Sequence, residues 1–566
     1  MPNIVVKGKG KETLNKTDFV ASGGEGSVYA KKGIAYKLYT DPSKMIPEGK
    51  INDLSVLTEP YIIRPLDVIM DAKNTPIGYT MRYVTDTYAL VQLFTKSFKQ
   101  RNNLTGKEIF DLVQKLRKGV QHVHDKGILI VDLNEMNFLV NQKFDEVYFI
   151  DVDSYQTPHY RATALMESIR DRHCKNNAFT KETDWFAWGI VTFQMFIGIH
   201  PYKGKHPTVN GLDDRMLKNL SVFNKDVTYP AIVEPFDIIP ENLRNWYKAV
   251  FENGQRICPP AEGVAVVTII TRGDKIIGSN KFDMSEIIDY PSNQIGDIAN
   301  VIFSFGSRVV QGKRGAMLGS QVDLKVPPDA KIGFTPQLND CIAASLNRGT
   351  VSFYNVTTGK MLDETVTGSA VMPYDGRLYV KGGDCVYEIH YLESRTKMRA
   401  MTHRVAMIIN NATQVFDGVM IQNLLEATYV SLFPRAGAHY EIRMKELEGY
   451  RIVDAKFDRG VLMAVGEKGG KYDRYIFRFD KEFRSYDAAV VQDISHSGLN
   501  FVVLDTGICV QIDEEENVIA FVAAKDGKRL PPIDDPAITS DMRLYRWGGQ
   551  AVVAKGEKLY NFKMKS

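Results

Sequence analysis

The alternation of hydrophobic and polar positions changes character twice along the chain. Over the first 85 residues short strand-like runs dominate. Residues 17–40, TDFVASGGEGSVYAKKGIAYKLYT, read as strand, glycine turn and strand, and the runs 61–70 and 77–84 predict two more strands around the turn DAKNTP. Within residues 43–58, Pro47 suits a first helical turn and Ile51, Leu54 and Leu57 share one face, which predicts a short helix. From Thr87 the rhythm becomes helical. Ile109, Leu112, Val113, Leu116, Val120 and Val123 carry the 3.6-residue spacing of a packed helix over 107–124, and Gly127 ends it. The run WFAWGIVTFQMFIGI, 185–199, is shorter than the roughly 20 apolar residues of a membrane span and contains Thr192 and Gln194, so a buried helix is expected. A further helix is expected over 240–252, and ICPPAEG, 257–263, marks a domain boundary.

Beyond Gly263 helical periodicity largely disappears. A two-strand unit recurs, with seven examples beginning at Asp297, Asp340, Gly376, Gly418, Gly460, Asn500 and Gln550. Their starts lie 36 to 50 residues apart, near the period of a propeller blade. The expectation is an all-β propeller of about seven blades, each hairpin forming a blade's middle strands. A pair of β-sandwiches is the competing architecture. The expected fold is therefore multidomain, with an α+β bilobal domain (1–85 and 86–262) followed by the propeller (263–566).

Composition narrows the function little. A hydrophobic content of 44% and a charged content of 25% are ordinary for a globular protein. A formal charge of +3 on 566 residues gives no electrostatic case for nucleic acid or a membrane surface. Cys174, Cys258, Cys341, Cys385 and Cys509 are odd in number and scattered, without a disulfide or zinc spacing. The opening MPNIVVKGKGKETLN has no signal-peptide core, so a reducing, cytoplasmic location is expected.

The candidate chemistry centres on residues 131–155, VDLNEMNFLVNQKFDEVYFIDVDSY. Asp132 is followed by Asn137 five residues later, then by Asp151 and Asp153, with two apolar runs between them. Such a hairpin presents an acid at one end and metal-binding oxygens at the other. Upstream, Gly23, Gly24 and Gly26 remove the Cβ atoms that would keep a backbone from phosphates, although ordinary hairpins also use such glycines. Lys37 ends the run Ile34–Lys37, where a half-buried ammonium asks for an anion or snorkels at an edge. Taken singly, any Asp or Asn here is more often a turn former or helix cap than a ligand. The conjunction in this order points to phosphoryl transfer.

Taken together, residues 1 to about 260 resemble a protein kinase domain. ASGGEGSVY resembles the glycine-rich loop, with Ala21 at the first glycine position. IAYK resembles the strand-lysine motif, GYTMRYV the strand entering the hinge, and HDKGILIVDLNEMNFLV the catalytic loop. DWFAWG with HPYKG resembles the central helix of the large lobe and its exit. The resemblance implies ATP and Mg2+ as cofactors. It makes Lys37 the holder of the α- and β-phosphates, Asp132 the residue that accepts or orients the substrate hydroxyl proton, and Asn137 and Asp151 the metal ligands. It also implies Val28, Ala35 and Leu139 around adenine, Met81 as gatekeeper, and backbone groups of Arg82, Tyr83 and Val84 at the hinge. Asp184 would pin the catalytic-loop backbone, and Glu167 would pair with Arg256. Either Glu48 or Asp53 would partner Lys37, with Glu48 preferred for its reach.

Three departures stand out. Ile130-Val131 replaces the usual His-Arg, which implies activity that does not require activation-loop phosphorylation. Asn134 stands where serine/threonine kinases carry lysine. DVD replaces DFG, and the DVDSYQ run is similar to bacterial and phage kinase-like proteins, including some associated with stress or tellurite resistance.

The expected function is an ATP- and magnesium-dependent protein kinase, acting on serine or threonine of a protein that the propeller recruits or orients. No nucleic-acid or membrane partner is expected. The alternatives are a pseudokinase scaffold whose propeller is the working module, which the intact set Lys37, Asp132, Asn137 and Asp151 disfavours, and a small-molecule kinase, which DWFAWG and HPYKG disfavour.

Overall fold

The computed structural model describes residues 3–23, 25–102 and 104–260, then residues 278–565 apart from 290–301, 306–307, 312–321, 324–329, 337–339, 395–396, 426, 495–497, 548 and 556–557. The chain divides into two compact units, one built mainly from the first 270 residues and the other mainly from those that follow.

The first unit begins with a seven-stranded antiparallel sheet. Its strands are β1 (Asn3–Val6), β2 (Gly10–Thr13), β3 (Phe19–Ser22), β4 (Gly26–Lys31), β5 (Ile34–Tyr39), β6 (Val68–Met70) and β7 (Pro76–Arg82), in the order β2-β1-β6-β7-β5-β4-β3. Helix α1 is short, Glu48–Leu54, with Ile51 and Leu54 buried. Ile51 joins Tyr39, Ile46, Val68 and Tyr79 in one core, against which Met81 packs. The strand expected over 61–70 forms only at its end. Residues 61–63 instead tie to the hairpin that ends at Phe149, where the Ile63 amide donates to the Phe149 carbonyl and the Phe149 amide to the Tyr61 carbonyl, both at 2.8 Å.

The helical part follows β8 (Thr87–Ala89). Helix α2 is Lys96–Arg101, and α3 runs Gly106–Asp125, begun by a capping box between Thr105 and Glu108. The hairpin β9 (Phe138–Asn141) and β10 (Val147–Phe149) joins β8 in a small sheet. Helix α3 lies close on this hairpin because residue 119 is glycine; a Cβ there would stand 2.3 Å from the Phe149 ring. Helix α4, Lys181–Ile197, is buried continuously from Asp184 onward and ends on Gly198 at φ 84°. Among the described residues no helix is long and apolar enough to cross a membrane. Helices α5 (Leu212–Leu217) and α6 (Glu241–Phe251) complete the unit.

The second unit is β-rich. Among the described residues, six sheets of three or four strands follow in chain order, within 302–323, 331–367, 370–407, 413–443, 451–491 and 501–522. A seventh comprises Arg543–Trp547, Gln550–Lys555 and Lys558–Asn561, and Glu286–Asp289 from the start of the region adds its fourth strand. All seven expected hairpins fall on adjacent strands of these sheets; residues 297–301 and 306–307 of the first, 426 of the fourth and 556–557 of the last lie outside the described residues. A buried cluster including Met372, Val419, Ile421, Leu432, Leu462 and Phe477 runs through three consecutive sheets.

Candidate active site

The loop before β9 is a network of satisfied polar groups. Asp184, fully buried at the start of α4, accepts from the Val131 amide at 2.8 Å through Oδ1. Its Oδ2 takes the Ile130 amide at 2.8 Å and lies 2.8 Å from His124 Nε2 on α3. These bonds hold Val131 at φ 63°, a left-handed conformation that costs a β-branched residue about 1–3 kcal/mol. The strained turn presents Asp132. Its Oδ1 accepts the Met166 amide at 2.7 Å, and the Asn137 amide nitrogen donates to its carbonyl at 2.9 Å and to Oδ2 at 3.2 Å. Asn134 caps the turn between them by accepting the Met136 amide at 2.8 Å. The Ile150 amide donates to the Asn137 carbonyl at 2.9 Å, which brings Asn137 beside the residue preceding Asp151.

Asp151 adopts φ 57°, and a short 3-10 turn, Val152–Ser154, follows. This turn carries Asp153 inward. Lys37 Nζ, on β5, lies 2.7 Å from Asp153 Oδ2, 3.3 Å from Asp151 Oδ1 and 3.2 Å from Glu25 Oε2. The Tyr39 hydroxyl donates to the same Asp153 oxygen at 2.8 Å. Lys37 Nζ also stands 5.3 Å and 5.8 Å from the ring centres of Tyr39 and Tyr79, within cation–π range.

Burial alone would lower the Lys37 pKa, but the Asp153 and Asp151 carboxylates push it well above the ordinary lysine range. Burial opposes ionisation of Asp153, yet the Lys37 ammonium and the hydrogen bonds from Lys37 and Tyr39 hold its carboxyl below the usual value. Asp151 keeps 48% of its side chain open to solvent. The surrounding protein and the Asp153 charge nevertheless push its carboxyl up, against the pull of Lys37.

The expected partner of Lys37 requires correction. Glu48 points outward and pairs with Lys7 at 2.6 Å, each side chain about half exposed. Asp53 accepts the Thr157 hydroxyl at 2.6 Å and lies 3.0 Å from His159 Nδ1. The inward face of α1 carries Lys50, only 1% exposed. Its amine donates to the Arg161 carbonyl at 3.3 Å, and burial lowers it to about 8. The rotation of α1 places a cation, not an acid, toward the cleft. A second correction concerns Arg256, which pairs in two-pronged fashion with buried Asp171 at 2.6 and 2.7 Å. Glu167 is exposed and meets Arg170 and Arg172.

The other expected residues fall on the cleft strands. Val28 is the register partner of Lys37, and Ala35, 2% exposed, that of Met81. Leu139 is half-buried on β9, between Ala89 and Tyr148. Gly23 has open space where a side chain would stand, whereas a Cβ at Gly26 would meet the Leu38 carbonyl oxygen at 2.1 Å, so Gly26 serves strand packing. Gly24 lies outside the described residues. The Tyr83 amide donates to the Gly33 carbonyl at 2.9 Å, so that amide is already engaged within the protein; Val84 is half-buried beside it. Sequence reasoning passed over His124, Tyr39 and Tyr79, and set Asp153 aside. The signal for Asp153 was its place two residues after Asp151.

Among the described residues there is no cluster of three His, Cys, Asp or Glu side chains suited to a metal. Asp151 and Asn137 still fit a magnesium ion, which typically takes one or two carboxylates and completes its shell with water and substrate phosphates. The Asn137 nitrogen is committed to Asp132, leaving the amide oxygen as the end for a cation.

Residues 20–235 match the family model described as the protein kinase domain. A serine/threonine-protein kinase of Acanthamoeba polyphaga mimivirus is 24% identical over 191 residues, 30% of this chain and 66% of that relative. Smooth-muscle myosin light chain kinase of Gallus gallus is 20% identical over 227 residues, 39% of this chain and 11% of the relative. A serine/threonine-protein kinase of Saccharomyces cerevisiae is 24% identical over 208 residues, 34% of this chain and 24% of the relative. The chain thus spans less than two thirds of each relative's own length.

Proposed function

We propose that the chain, whose residues 20–235 match the protein kinase domain, is an ATP- and magnesium-dependent protein kinase acting on serine or threonine. The observation that carries this reading is the convergence of Asp132, Asn137, Asp151 and Lys37 in one cleft, linked by the Asn137–Asp132 and Lys37–Asp151 hydrogen bonds. Asn137 and Asp151 would hold the metal, which when bound neutralises charge on the transferred phosphoryl group. Lys37 places a cation beside Asp151 for the phosphates. Asp132 is positioned by Met166 and Asn137 to orient the acceptor hydroxyl and take its proton. Positioning and charge supply the catalysis.

The β-rich region is proposed to be a seven-bladed propeller that recruits or orients the protein substrate. The seven successive sheets and the pairing of Glu286–Asp289 with the last of them support the blade reading. Recruitment rests on analogy with propeller folds.

The test is phosphate transfer from radiolabelled ATP with magnesium to a mixture of protein substrates. Asp132→Ala is expected to lower the rate by about a thousandfold, with Lys37→Ala also severely impaired. Equal labelling by wild type and both variants would sink the reading.

A further inference from the structure

We propose that Asp153 is the positioning residue that holds Lys37 for phosphate binding, a task that no acid of helix α1 performs here. The inference rests on the kinase reading and concerns how its lysine is anchored. Asp153 has 5% of its side chain exposed and receives both the Lys37 ammonium and the Tyr39 hydroxyl on Oδ2. A carboxylate this buried stays ionised only when paired and hydrogen-bonded, and Lys37 is the cation at hydrogen-bond distance. The two acids of α1 are engaged elsewhere, Glu48 with Lys7 and Asp53 with Thr157 and His159. Lys50, buried on α1, is a cation bonded to the Arg161 carbonyl and offers Lys37 no counter-charge.

The consequence is mechanical. Asp153 sits on the same short turn as Asp151, so the phosphate-binding lysine and the metal-binding acid are fixed by one element. A shift of α1 would not break the Lys37 ion pair. Helix α1 is instead fastened to the segment after the turn, through Asp53 to Thr157 and through Lys50 to the Arg161 carbonyl.

The experiment measures binding of ATP and of adenosine by calorimetry, with KM for ATP and kcat, in wild type and Asp153→Asn. The asparagine keeps the shape and an acceptor for Tyr39 but removes the charge. ATP affinity is expected to fall about tenfold or more while adenosine changes less than about twofold, because only the phosphates depend on Lys37. KM for ATP should rise with it. Equal weakening of ATP and adenosine would mark a merely structural role and overturn the proposal, as would an unchanged ATP affinity or an equal ATP-specific loss in Glu48→Gln. Tyr39→Phe covers the case in which Asp153→Asn does not fold. It removes one hydrogen bond from Asp153 and should produce a smaller loss confined to ATP; no such loss overturns the proposal. Wild type that binds ATP without transferring phosphate refutes the kinase reading alone, since the two affinities still decide the role of Asp153. Wild type that does not distinguish ATP from adenosine overturns both.

Discussion

The loop that carries Asp132 and helix α1 handle charge in opposite ways. In and under the loop, Asp132, Asn137 and Asp184 are buried and each is held by named partners, among them the backbone amides of Ile130, Val131 and Met166. Helix α1 turns Glu48 to solvent, spends Asp53 on the following segment and buries Lys50. The loop is over-determined, which is what allows Val131 to persist at φ 63°. The helix is fastened at its edge. The geometry that the proposed chemistry needs therefore belongs to the loop and the hairpin after it, and α1 is a support.

The sharpest way to break the loop is to remove the carboxylate under it. Asp184→Ala leaves two buried amides and His124 without their acceptor, and an unsatisfied buried network of this kind costs about 3–5 kcal/mol. Thermal unfolding should show that loss. Phosphate transfer should fall further than the unfolded fraction explains, because Val131 is freed to relax and Asp132 moves with it. Unchanged melting would mean that the loop is held by something other than Asp184.

This contrast also explains what could be read from the chain before its structure. Asp132, Asn137 and Asp151 were legible because a loop and one hairpin fix their spacing locally. The seven hairpins of the second unit were legible for the same reason, since alternation within a two-strand unit is a local pattern. The partner of Lys37 was not. It depends on the rotation of a seven-residue helix, in which Lys50, two residues after Glu48 and three before Asp53, takes the inward position. Asp153 was hidden because the left-handed Asp151 and the turn Val152–Ser154 redirect it in a way that residue spacing does not show. The pairing of Glu286–Asp289 with Lys558–Asn561 joins distant segments and leaves no local trace. Arg256 was matched to Glu167 by motif position, yet Asp171 offers the buried, two-pronged geometry.

A second prediction concerns the segment beyond Met166, which His200 secures. Its Nδ1 accepts the Tyr202 amide at 3.1 Å, so the ring is neutral there and Nε2 donates to the Ser168 carbonyl at 2.9 Å. Burial lowers its pKa to about 3, with the Lys203, Arg215 and Arg172 charges acting in the same direction. The sign follows from linkage. Near neutral pH both folded and unfolded His200 are uncharged, and its contribution is complete above about 6.5. Below that value the unfolded state gains a proton that the folded state refuses, so stability falls as pH drops toward 3, by at most about 1.4 kcal/mol per unit. Urea unfolding at pH 7 and pH 5.5 should show this slope in wild type and a shallower one in His200→Gln, whose amide can still donate to Ser168. An equal slope in both would assign the acid sensitivity to other groups.

The smallest effects should come from α1, and their ranking tests whether the helix is only a support. Asp53→Ala removes the acceptor of the Thr157 hydroxyl and should cost about 1 kcal/mol of stability. Because its partners hold the Asp53 carboxyl below the usual range, the stability it contributes is present above about pH 4 and is lost as pH falls through its folded value. Glu48→Gln breaks a pair that is half exposed on both sides and should cost less than about 0.5 kcal/mol. The order Asp184, Asp53, Glu48 in chemical denaturation follows from burial and partners alone. If Glu48→Gln instead cost more than Asp53→Ala, α1 would be held through its outer face, and the opposition between a fixed loop and a tethered helix would have to be redrawn.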